Sequence, residues 1–119
     1  MAYRSKPRPA HPITKAKIAD LALDMIALSY RTYNSMRAEM EKRGVRYSSH
    51  EPCWSVGAVT DMLRQQSMPD DFEFASKRRQ RTMVRIVLEK LRREGRLSSS
   101  LGSVPGRRRE IRCYEPGER

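Results

Sequence analysis

The sequence predicts a mainly α-helical fold closed by a small antiparallel β-hairpin: three helices, the first of them long, and then two short strands. Three observations carry this. Apolar residues recur at three- and four-residue spacing over three separate stretches, each preceded by a capping residue. Two of those stretches end on a glycine, Gly44 and Gly95. The last quarter of the chain then drops the helical period for short alternating runs around a turn rich in Gly and Arg. With 119 residues and 38% apolar side chains, one domain with a single modest core is what the chain can build.

Residues 1–12 (MAYRSKPRPAHP) hold three prolines and three cations with little to bury, and are expected to form a disordered basic arm ahead of a domain spanning 13–119. The first helix is expected over 14–43. Thr14 is the predicted N-cap, and Ile18, Ala22, Met25, Ser29, Tyr33, Met36 and Met40 follow as its stripe. Thirty residues would reach about 45 Å, more than a domain of this size needs. A bend near Asn34-Ser35, or a protruding half that meets a partner chain, follows as an expectation.

Pro52 keeps the next segment from continuing as helix. The second helix is expected over 55–66, capped by Ser55, with Val56, Val59, Met62 and Leu63 facing inward. A connector, 67–75, carries Phe72 and Phe74, both expected in the core. Ser76 caps a third helix over 76–94 whose apolar stripe is Met83, Val84, Val87, Leu88 and Leu91. Its opposite face presents Lys77, Arg78, Arg81, Thr82, Arg85 and Glu89. A hairpin is expected over 96–115, with Leu97, Ile111 and Cys113 among the inward positions and Arg107, Arg108 and Arg109 in its turn.

The net charge is +11, and its distribution says more than its size. Residues 1–17 carry +5, residues 18–75 carry −3, residues 76–96 carry +7 and residues 107–112 carry +3. Such segregation is self-repulsive and suits a polyanionic partner. Nineteen of the 25 cations are Arg, whose planar donor fork matches phosphates and guanine edges. No stretch is long and apolar enough for a membrane span, because Asp20 and Asp24 interrupt the greasiest segment. With no apolar leader near Met1, a cytoplasmic, nucleoid-associated protein is expected.

The stretch RTMVRIVLEKLRREGRL, residues 81–97, resembles the recognition-helix-to-wing segment of winged helix-turn-helix DNA-binding proteins. Those proteins show a Thr-Val-like pair, two leucines three apart and a Gly-Leu or Gly-Ile leading into the wing. The resemblance covers roughly residues 54–115, and the chain departs from it in a longer connector and a longer first helix. It implies that Lys77, Arg78, Arg81, Thr82 and Arg85 face the major groove, and that Arg107, Arg108 and Arg109 form a wing tip on the backbone or minor groove. It also sets Cys53, just before the second helix, beside Cys113 on the last strand, a candidate disulfide or thiol pair. Because cytosolic disulfides are rare, two buried free thiols are the favoured state.

The function expected from residues and resemblance together is duplex DNA binding by a transcription regulator, with phosphate contacts from the arm, Arg79, Arg92 and the wing. RNA binding, as by a ribosome-associated winged helix, is the alternative, and a protein–protein assembly module is a third, with the long first helix as a candidate homodimer contact. An enzyme is not expected: His11 and His50 have no partners at catalytic spacing, and no Gly-rich phosphate loop precedes a helix. Neither cofactor nor metal is expected. A zinc site would need His11, His50, Cys53 and Cys113 to converge.

Overall fold

The computed structural model describes residues 10–102 and 110–117. Four helices precede a hairpin: α1 Pro12–Lys42, α2 Val56–Arg64, α3 Asp70–Glu73, α4 Lys77–Arg93, β1 Leu97–Gly102 and β2 Ile111–Pro116. The strands pair antiparallel, with Leu97 opposite Pro116 and Gly102 opposite Ile111. Trp54 adds an isolated antiparallel bridge to Tyr114, whose amide donates to the Trp54 carbonyl at 2.8 Å. The segment entering α2 is thereby tied to the second strand of the hairpin.

The caps explain where the helices start. Ser55 and Ser76 accept from Ala58 and Arg79 at 3.1 Å, satisfying first-turn amides of α2 and α4 as the sequence predicts. The start of α1 differs from expectation. Pro12, preset for the first helical position, begins the helix, and His11 Nδ1 accepts from the Ile13 amide at 3.2 Å. Thr14 is thus inside the first turn and buried, its hydroxyl donating to Asp71 of α3. The expected basic arm consequently ends early: Ala10 is in the core and His11 caps α1, while residues 1–9 lie outside the described residues. Gly44 and Gly95, at φ +70° and +77°, follow α1 and α4 in the left-handed region that stops a helix.

The core gathers Ile18, Ala22 and Ile26 of α1, Val59 and Leu63 of α2, and Phe72 of α3. Met83, Val84, Val87, Leu88 and Leu91 of α4 join them, closed over by Leu97 and Tyr114 of the hairpin. The predicted stripe of α4 is therefore buried in full. Two expectations fail here. Phe74 is 79% exposed, because the unpredicted short helix α3 turns Phe72 inward and its neighbour two residues on outward. Ile111, named among the inward positions, is only partly buried, whereas Tyr114, not named, is buried beside Cys113, its amide bonded to Trp54 and its hydroxyl donating to Glu89 of α4. Among the described residues no helix is long and apolar enough to cross a membrane.

The long helix expected from the sequence forms: α1 runs 31 residues as one continuous helix, and residues 31–42 are exposed apart from the half-buried Tyr33 and Met40.

Candidate nucleic-acid interface

A helix with one face sealed in a core must turn the opposite face to solvent, and α4 does so with cations. Lys77, Arg78, Arg81 and Arg85 are exposed along it; Thr82 is half-buried and donates its hydroxyl to the Arg78 carbonyl at 3.0 Å. All five residues singled out on this helix thus share one outward surface. Arg107, Arg108 and Arg109 lie outside the described residues.

Beside this surface a groove of about 640 Å³ runs between α2, α4 and β2. Its walls hold Arg64 and Gly57 of α2, Lys77 and Arg81 of α4, and Arg112 of β2, with Asp61 as the acid among them. Gly57 matters through what it lacks: a Cβ there would stand 3.6 Å from the Arg81 guanidinium, which lies against the first turn of α2. The amides of Val56 and Gly57 have no intrahelical acceptor, and the helix dipole adds partial positive charge at that end. Guanidinium and helix terminus are electrostatically alike, so their proximity favours an anion in the groove.

Not every cation is available. Arg64 donates to Gln80 at 2.7 Å and to Asp61 at 2.6 Å. Gln80, buried, donates in turn to the Phe72 carbonyl at 2.8 Å, so this chain of contacts fixes α4 against α2 and α3. Arg92, expected on phosphate, instead holds Glu89 through two donors at 3.0 and 2.8 Å. Glu89, expected on the outward face, accepts from the Tyr114 hydroxyl at 2.5 Å. The hydrogen bonds from Tyr114 and Arg92 hold the Glu89 carboxyl below its usual range. Burial, together with that same bond, pushes the Tyr114 hydroxyl up to about 12.

Cys53 and Cys113 form a disulfide across 60 residues, their Cα atoms 5.0 Å apart. The preference for free thiols is overturned by local geometry. The Trp54–Tyr114 bridge draws the two neighbouring cysteines together, which an argument from compartment cannot foresee. Cys53 also lines the groove, so the disulfide anchors β2 and Arg112 next to α2. With both cysteines bonded to each other and His11 capping α1, the donors considered for zinc are not gathered.

Three contributors to the groove escape a reading of the sequence. Arg112 could not have been placed from strand alternation, since Cys113 and Tyr114 on either parity of β2 are both buried. Arg64 and Gly57 carry no signal either, because only the docking of α2 on α4 makes them wall residues. Compared with protein-family models, curated proteins and solved structures, the chain matches none.

Proposed function

We propose that the protein binds double-stranded DNA as a winged helix-turn-helix transcription regulator, with α4 in the major groove and the hairpin as its wing. One observation carries the reading: Lys77, Arg78, Arg81 and Arg85 project together from a helix whose opposite face is locked in the core. A rigid helix with a cationic outer face is the shape the major groove admits, and Arg at its surface can take guanine O6 and N7 in a bidentate contact. The groove beside it supports the reading. Arg81, Lys77, Arg112 and the start of α2 offer donors where a phosphate flanking the inserted helix would lie. Trp54 bridging to Tyr114 is likewise the strand arrangement that a winged helix uses to brace its wing.

The test is a salt-dependent titration on a random-sequence duplex and on an RNA hairpin of equal charge. Arg81→Ala combined with Arg85→Ala should weaken duplex binding by about tenfold or more and make the salt dependence shallower by about one phosphate contact, that of Arg81. Preference for the hairpin would move the reading to RNA. Weak binding to both at moderate salt would discard the nucleic-acid reading altogether.

A further inference from the structure

Phe74 is the most exposed large apolar side chain among the described residues, at 79%, and it stands in an acidic setting. Asp70 and Glu73, both exposed, lie within four residues of it. Asp71 adds its charge but is engaged internally, accepting from the Thr14 hydroxyl and, at 3.0 Å, from the His11 amide. The aromatic is a knob with Asp70, Asp71 and Arg79 lining the surface around it, at the C-cap of a helix that is itself pinned to α1 and α4. A phenyl ring held in water forgoes roughly 1.5–3 kcal/mol of burial, which makes such a position notable without a partner.

The complementary feature is on the same chain. Where the start of α1 crosses the end of α4, a groove of about 460 Å³ has Ala19, Ile86 and Leu91 on its floor. Its rim carries Lys15, Lys90 and Arg96 against one acid, Glu94. Ile86 is 49% exposed there, an apolar residue inside a ring of cations. Phe74 of the same chain does not line this groove.

We infer that this groove receives the Phe74 knob of a second copy of the chain, the acidic rim of the knob meeting the basic rim of the groove. Shape and charge both select the occupant: an apolar ring goes onto an apolar floor, and Asp70 and Glu73 go opposite Lys15, Lys90 and Arg96. Knob and groove are different surfaces, so the contact is heterologous in kind, and closes or extends according to the rotation between copies. The face is separate from the cationic one. At 100° per residue, Ile86 and Lys90 lie roughly 100–180° around α4 from Arg81 and Arg85, so filling the groove leaves those two arginines uncovered.

Sedimentation velocity on the full chain, without nucleic acid, tests this. Wild type should self-associate, and Phe74→Ser and Ile86→Glu should each weaken association by about tenfold or more. Both substitutions are at exposed positions, and far-UV circular dichroism confirms that each variant remains folded. An equimolar mixture of the two should associate again, because one still has its groove and the other its knob. High salt should weaken the wild-type contact. Wild type that stays monomeric, or Phe74→Ser that associates like wild type, overturns the inference. In the latter case, loss of association in Met36→Glu would assign the contact to the exposed last part of α1. A mixture that remains monomeric would mean that the two residues do not meet, and overturns it too.

Discussion

Residues 12–30 and 31–42 belong to one unbroken helix, yet they meet different surroundings. In the first part Ile18, Ala22 and Ile26 are wholly buried, and every boundary contact is specific. Asp71 receives Thr14 at one end. At the other, the Trp54 indole donates to Ser29 at 2.5 Å and the Tyr30 hydroxyl to the Pro52 carbonyl at 2.7 Å. The second part has exposed i,i+4 pairs, Arg37–Glu41 at 3.7 Å and Arg43–Glu39 at 3.3 Å, and Tyr33 tilted against Tyr47 with ring centres 5.6 Å apart. Met36 is 46% exposed. Apolar period is continuous across both, so the difference teaches that periodicity marks a face able to be buried, while burial itself depends on which other elements reach it.

The contrast can be measured along the helix. Ile26→Ala opens a cavity between α1 and the rest of the core and should cost about 2–5 kcal/mol in guanidinium unfolding. A cost under 1 kcal/mol would mean that the first part is no better anchored than the second. At the boundary, Trp54→Phe keeps the ring packing but removes the donor to Ser29. A loss of about 1 kcal/mol is expected, with faster amide exchange beginning near Ser29 and spreading toward residue 42.

The start of α1 should respond to acid. Burial acts to raise the Asp71 carboxyl, but the hydrogen bonds from Thr14 and the His11 amide outweigh it and hold the group below its usual range. Its folded value being lowered, its contribution is complete above the unfolded value, about 4, and is lost as pH falls through the folded one. Stability against pH should therefore fall less steeply below pH 4 in Asp71→Asn than in wild type. Identical slopes would show that the contact does not tether α1. Glu89 titrates in the same direction, and subtracting the two curves removes it. The smallest effect belongs to the exposed second part: Met36→Ala should change stability by no more than about 0.5 kcal/mol. A larger loss at dilute concentration would reveal packing that the exposed position does not provide.

Much of this architecture was legible in the sequence because it depends on local chemistry. Ser55 and Ser76 cap helices since their hydroxyls reach first-turn amides, and Gly44 and Gly95 end helices since they tolerate positive φ. The buried stripe of α4 and its cationic reverse follow from a fixed 100° step along one helix, which makes Lys77, Arg78, Arg81 and Arg85 readable as a group. Tertiary structure alone decided the rest. Phe72 and Phe74 are alike in sequence and opposite in burial, because the orientation of a four-residue helix is set by what it docks on. Cys53 and Cys113 are bonded, Arg112 and Gly57 share a groove, and Arg92 is committed to Glu89, through approaches between residues far apart in the chain. Local chemistry acts over a turn or two of backbone, so it selects the elements and their faces; which faces meet is set by closing one core around all of them at once.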